Sequence, residues 1–159
     1  MFATIAWATD ASPSARDALP VVETLARGTG ANVVIIHVQQ VVISRGGFLT
    51  EDSAAASAVL RHALHRLREQ GIEATVLSAA ARAQDVPQRI LSLAESAGAS
   101  VLVVGNRRQG PLLNSLLGSV SARLLRTAPL PVVLVPSPDT RLRVASSRPR
   151  IRLHRGAAP

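Results

Sequence analysis

The sequence predicts an α/β fold: a five-stranded, mostly parallel, doubly wound sheet. Three observations predict it. Five short apolar runs rich in β-branched residues recur along the chain: Phe2–Ala8, Asn32–Val38, Glu73–Ala79, Ser100–Val104 and Val132–Val135. Stretches with helical spacing separate them, so the order reads β-α-β-α-β-α-β-α-β, the pattern of a parallel sheet wound with helices. Within the second and fourth runs, Val33-Val34-Ile35-Ile36 and Val101-Leu102-Val103-Val104 are continuously apolar rather than alternating. Strands covered by helices on both faces read that way. Right-handed crossovers then leave few topologies. Ligands of such sheets sit beyond the carboxyl ends of the strands, where the winding reverses.

Each helical stretch carries its own punctuation. Ser12 or Ser14 can cap the first, with Pro13 near its start and Gly28 or Gly30 past its end. Pro20 lies inside this stretch, removes a backbone donor and predicts a kink. The second runs from about Ser53 to Gln70 and stops at Gly71, with Leu60, Leu64 and Leu67 on its buried face. Asp85 is placed to cap the third, Val86–Ala97, which ends at Gly98. The fourth covers roughly Val120–Thr127 and stops before Pro129. Leu116, Val120 and Leu124 repeat every four residues and extend it up to a turn earlier. Gln40–Thr50, with Gly46-Gly47, reads as a longer loop suited to a lid or a partner surface. Residues 137–159, rich in Pro, Ser and Arg, read as an Arg-rich tail appended to a domain spanning 1–136.

A chain of 159 residues holds one domain with a full core. Its apolar fraction of 47% argues against wholesale disorder. No apolar run approaches the ~18–20 residues that span a bilayer. The first strand is preceded by no basic region and runs straight into Thr9-Asp10, so no secretory signal is expected. The absence of cysteine excludes disulfides, thiolate zinc sites and a cysteine nucleophile. The expectation is a soluble cytoplasmic protein.

All 18 basic residues are arginines. Residues 1–136 hold 12 of them against 9 acids, while residues 137–159 hold 6 against Asp139 alone, so the high pI belongs largely to the tail. The aromatics are Phe2, Trp7 and Phe48, which offer no platform for stacking single-stranded bases.

The chemistry concentrates after the fourth strand. Gly105-Asn106-Arg107-Arg108-Gln109-Gly110 leads through a short linker to Gly118-Ser119-Val120-Ser121. Glycines let the main chain approach a bulky anion and adopt positive φ. Gly118-Ser119 falls near a helix start, whose free N–H groups and dipole, with the Ser119 and Ser121 hydroxyls, suit phosphate oxygens. Arg107 and Arg108 add charge at the same mouth. A P-loop is excluded because the chain has no lysine. Gly28-Thr29-Gly30 lacks a third glycine at the dinucleotide spacing and reads as a helix stop.

In these residues the chain resembles the universal stress protein family over roughly 1–136. Its ATP-binding members carry Gly, two residues, Gly, nine residues, then Gly-Ser or Gly-Thr. Gly105 takes the first place, Arg108 the second glycine's place, and Gly118-Ser119 close the pattern after Gln109–Leu117. Thr9-Asp10-Ala11-Ser12, Ile36-His37-Val38 and Pro129-Leu130-Pro131-Val132-Val133-Leu134-Val135 are similar to the family's opening, second-strand end and closing strand.

The resemblance implies a Rossmann-like, adenine-nucleotide alpha-hydrolase-like sheet of order 3-2-1-4-5. It implies Thr9 and Asp10 beside the ribose, and Val38 at the adenine with backbone groups reading its edge. Gly105, Gly118, Ser119, Val120 and Ser121 would hold the phosphates of ATP, with Mg²⁺ as a candidate bridging ion. At Arg108 two outcomes stand open: the side chain blocks the close approach glycine permits, or its guanidinium swings outward or pairs with a phosphate.

Other candidates carry less chemistry. His37, at the end of an apolar strand, reads as a satisfied structural histidine. His62 and His65 are spaced for a shared metal but lack an evident third ligand, so a solvated face is favoured. No Gly-x-Ser-x-Gly elbow occurs, and no residue announces itself as a base for activating water. The expected function is an ATP-binding regulatory protein of the stress response, with at most slow hydrolysis. The resemblance implies that it acts as a homodimer paired antiparallel through the terminal strand Val132–Val135. The alternatives are a nucleotide-free dimeric interaction module and, more distantly, a nucleic-acid binder using the tail. Arginine and apolar residues alternate in that tail, which fits an extended strand or a disordered solubilising appendage.

Overall fold

The computed structural model describes residues 3–44, 47–50, 53–106 and 119–136, without the side chains of 13–15, 42–44, 47–50, 53 and 106. The strands are β1 (Thr4–Ala8), β2 (Asn32–Ser44), β3 (Gly47–Thr50), β4 (Ala74–Ala81), β5 (Val101–Asn106) and β6 (Val132–Pro136). The α-helices are α1 (Leu19–Thr29), α2 (Ser53–Glu69), α3 (Val86–Ser96) and α4 (Ser119–Thr127). Parallel pairing gives the order β4-β2-β1-β5-β6. Counted along the five apolar runs, this is the expected 3-2-1-4-5.

Side-chain alternation sends Ile5, Trp7, Val33, Ile35, Val101 and Val103 to one face of the sheet, where they bury Leu19, Val22 and Ala26 of α1 and Leu60, Ala63 and Leu67 of α2. Ala6, Ala8, Val34, Ile36, Leu102 and Val104 take the other face, against Ile90, Leu91 and Ala94 of α3 and Leu124 of α4. Ile5, Ile35, Ile36, Leu67, Leu102 and Leu124 lose essentially all contact with water. Each such side chain contributes about 1.5–3 kcal/mol to the folded state. The winding reverses between β1 and β5, because the helices before that point cover one face and those after it the other.

An ion pair crosses the α1/α2 layer. The buried Glu23 carboxylate receives the Arg66 guanidinium through Nε, and through Nη2 at 3.0 Å. The hydrogen bond to Glu23, and then its charge, raise the Arg66 pKa further above its already high ordinary value.

Three local expectations change and one open alternative is decided. Pro20 does not interrupt an α-helix: a 3-10 turn, Pro13–Ala18, precedes α1, and Pro20 falls in that helix's first turn, where its missing N–H costs no α-helical bond. Ser12 holds the N-cap position of the 3-10 turn but makes no side-chain cap bond, and Asp85 likewise precedes α3 without one. The stop for α1 is Gly30 rather than Gly28: Gly30 has φ +71 and returns its N–H to the Ala26 carbonyl at 2.8 Å. The segment 40–50 is not a plain loop. β2 continues to Ser44, and β3 folds back antiparallel on it, pairing Val41 with Thr50 and Ile43 with Phe48. The β-branched run Val41-Val42-Ile43 is the sequence feature that carries β2 on to Ser44. Among the described residues, no helix is long and apolar enough to cross a membrane.

Candidate functional site

The crevice at the reversal is built from four segments. β1 stops at Ala8, opposite Val104 of β5 and Ile36 of β2. The residues just past those points, Thr9, Gly105 and His37-Val38, therefore meet at the carboxyl edge of the three central strands.

The turn after β1 is held from several sides. The Thr9 N–H donates to the Ile36 carbonyl at 2.9 Å and prolongs the β1–β2 ladder by one bond. Thr9 Oγ1 accepts the Ala11 N–H at 3.1 Å, and Asp10 Oδ1 accepts the Ser12 N–H at 2.9 Å. These two side-chain turns bend the chain back over the sheet. Ala11 takes φ +56 at their centre, a left-handed conformation uncommon for a residue with a Cβ. Asp10 is exposed at this bend. Its carboxylate thus forms an Asx turn.

Val38 divides its side chain from its backbone. The side chain is buried on the α3/α4 face with Ile36, Val86 and Ile90. The backbone groups of alternate β2 residues turn to opposite neighbours, as Asn32 bonding to Ala3 and Val33 bonding to Glu73 show. Val38 shares the parity of Asn32 and Ile36, so its N–H and C=O face the β1 side, beyond the point where β1 has ended. The part of Val38 open to the crevice is its main chain.

Gly105 continues β5 one residue past Ala8 and pairs with Val135 of β6. Its φ is not positive, and among the described residues an added Cβ would reach nothing closer than Ala18 Cβ at 4.0 Å. The expectation that glycine supplies positive φ is therefore corrected at this position, where the backbone is ordinary strand.

The Ser121 hydroxyl donates to the Gly105 carbonyl at 3.3 Å and ties the first turn of α4 to the end of β5. Ser121 is buried, Val120 packs half-buried on the α3/α4 core, and Ser119, the first residue of α4, is exposed. Further along α4, Arg123 Nη1 donates to the Gln84 carbonyl at 2.7 Å and anchors the helix to the turn before α3. Arg107, Arg108 and Gly118 lie outside the described residues, so the arginine standing in the second glycine's place is not seen.

His37, expected as a satisfied structural histidine, is buried with Nδ1 3.1 Å from the Thr9 carbonyl oxygen; the sequence did not name that partner. One feature escaped the sequence reading: Ala11 bears the left-handed conformation, with no glycine or asparagine to signal it. Elsewhere, His65 Nε2 lies 3.2 Å from Glu69 on the exposed face of α2. Among the described residues, no three His, Cys, Asp or Glu side chains gather to hold a metal.

The reversal point of the doubly wound sheet thus gathers a carboxylate-bearing turn, a strand edge, a glycine and a helix start, the arrangement of a doubly wound α/β domain. The Universal stress protein family model matches residues 1–136, and the chain belongs to that family. It is 30% identical over 141 residues to the "Universal stress protein in QAH/OAS sulfhydrylase 3'region" of Thermus aquaticus, covering 85% of this chain and 99% of that one. Among solved structures it is similar to a universal stress protein in complex with cAMP, with a TM-score of 0.64, 25% identity and coverage of 85% and 97%. It is also similar to the universal stress protein from Archaeoglobus fulgidus in complex with dAMP, with a TM-score of 0.62, 25% identity and coverage of 84% and 97%.

Proposed function

We propose that this chain binds an adenine nucleotide, ATP foremost, in the crevice at the β1/β5 reversal, and serves as a regulatory module of the stress response rather than as a fast enzyme. The observation that carries the reading is the convergence of the Thr9-Asp10 turn, the open Val38 main chain, Gly105 and the α4 start at one strand edge. Adenine nucleotides in two similar family structures support it. In this reading Asp10 meets the ribose, Val38 N–H and C=O meet the adenine edge, and the α4 start receives phosphate oxygens, with Mg²⁺ accompanying them.

Calorimetric titration with ATP and Mg²⁺, and in parallel with AMP, tests this. Micromolar binding is expected, with Asp10→Ala weakening it by about tenfold, the worth of one charge-assisted hydrogen bond. No heat at millimolar nucleotide overturns the reading.

A homodimer belongs to the same proposal. β6 pairs only with β5 among the described strands, and Val132, Val133 and Leu134 are only half-buried. A strand edge of this composition is suited to pairing across a two-fold axis. Light scattering after chromatography should give a dimer mass for the wild type and a monomer mass for Val133→Asp. An unchanged dimer in that variant rules this edge out.

A further inference from the structure

We infer that His37 is the positioning residue of the crevice: through Nδ1 it sets the carbonyl of Thr9, and with it the turn that presents Asp10. The assignment of a ligand to Asp10 rests on the nucleotide reading above; the hold of His37 on the turn does not.

The geometry gives His37 a directional role. A carbonyl oxygen only accepts, so the Nδ1···Thr9 O contact of 3.1 Å requires the proton on Nδ1. Strand alternation places the His37 side chain on the α1/α2 face with Trp7 and Ile35, the same face to which the chain turns after Thr9. The ring is buried, so the bond is shielded from competing water. Thr9 is then clamped at three points: its N–H by Ile36 O, its carbonyl by His37, and its hydroxyl by the Ala11 N–H. Both adjacent β2 residues take part, so the end of β2 dictates where the chain leaves β1.

This clamp acts against a cost. Ala11 holds φ +56, and the relaxed alternative is a negative φ that would swing Asp10 and Ser12 away from their present turn. The ladder bond from Ile36 ends at the Thr9 nitrogen and leaves the following peptide free to rotate. The His37 bond to the Thr9 carbonyl is what fixes that peptide plane. It lies between Thr9 and Asp10, and its orientation sets the direction of the Asp10 side chain.

Asparagine can place an amide donor close to the Nδ1 position, whereas leucine cannot donate. The experiment compares wild type, His37→Leu and His37→Asn by amide hydrogen exchange at Ala11 and Ser12 and by ATP titration. The β2 amides of Val33 and Ile35 serve as the internal control. In H37L the Ala11 and Ser12 amides should exchange about tenfold faster while Val33 and Ile35 keep their protection, and ATP affinity should fall about tenfold. In H37N both readouts should return to within about threefold of wild type, which a role in packing alone would not produce. Should H37L fail to fold, His37→Gln, whose amide reaches the Nε2 position instead, takes its place with the same expectation. Unchanged exchange at Ala11 and Ser12 in the variant lacking the donor, or an H37N as fast as H37L, overturns the inference. A wild type that binds no ATP overturns the nucleotide reading alone, and the exchange data then decide the role of His37 by themselves.

Discussion

Ser121 donates its hydroxyl proton to the carbonyl of Gly105 at 3.3 Å, and this bond joins the start of α4 to the end of β5 across 16 residues of sequence. Ser119, two residues earlier, is exposed. The two serines of one motif therefore separate into a buried, bonded position and an exposed one.

That separation is measurable. Ser121→Ala should lower unfolding stability by about 0.5–1.5 kcal/mol, the net worth of one hydrogen bond. Ser119→Ala should stay within about 0.5 kcal/mol of wild type but weaken ATP binding severalfold. Urea titration followed by the emission of Trp7, the single tryptophan and almost wholly buried, reads the stability. Equal stability losses in both variants would contradict the division.

Gly105→Ala separates folding from binding in the opposite sense. With an ordinary strand φ and the nearest side-chain atom at 4.0 Å, a methyl group fits, so stability should hold or rise by about 0.4–1 kcal/mol. ATP affinity should nevertheless fall by an order of magnitude if the nucleotide passes over this residue, because the methyl group stands in its path. Thermal unfolding and calorimetry on the same preparation check both halves.

Ala11→Val addresses the strained turn. A branched side chain at φ +56 meets the neighbouring carbonyl and should destabilise the fold by about 1–2 kcal/mol beyond any packing effect. Ala26→Val, at a buried α1 position of ordinary helical φ, measures the packing effect alone. If both variants lose the same stability, the backbone at Ala11 is not strained.

The Glu23–Arg66 pair makes a prediction of sign. Arg66→Met strands a buried carboxylate, so it should lower the urea midpoint more than the double variant Glu23→Gln/Arg66→Met does. The folded-state pKa of Arg66 lies above its unfolded value, so its contribution is fully present below that unfolded value and is lost only as pH rises through the folded one. Its share should therefore not vary between about pH 6 and 9, far below the arginine range. A double variant less stable than R66M would reverse the argument.

Most of the fold was legible because its signals are local. Val33–Ile36 and Val101–Val104 announce strands by composition, and Gly30, Gly71 and Gly98, all at positive φ, mark the ends of the helices before them. The β2–β3 hairpin was missed because Gly46-Gly47 outweighed the β-branched run beside it. The site was legible only as a set of segments. Thr9 and His37 stand 28 residues apart, and nothing in either residue names the other; the β1–β2 register, Ala8 beside Ile36, makes them neighbours.

The sequence by itself determined the order of elements and the two-faced sheet, since periodicity, punctuation and residue type are properties of short stretches. Only the tertiary structure decided that the Val38 side chain is buried, that Gly105 has no positive φ, that the Ser121 hydroxyl bonds to β5, and that the His37 ring meets the Thr9 carbonyl. Those facts depend on where each strand ends relative to its neighbours, and strand ends are set by the packing of the whole sheet.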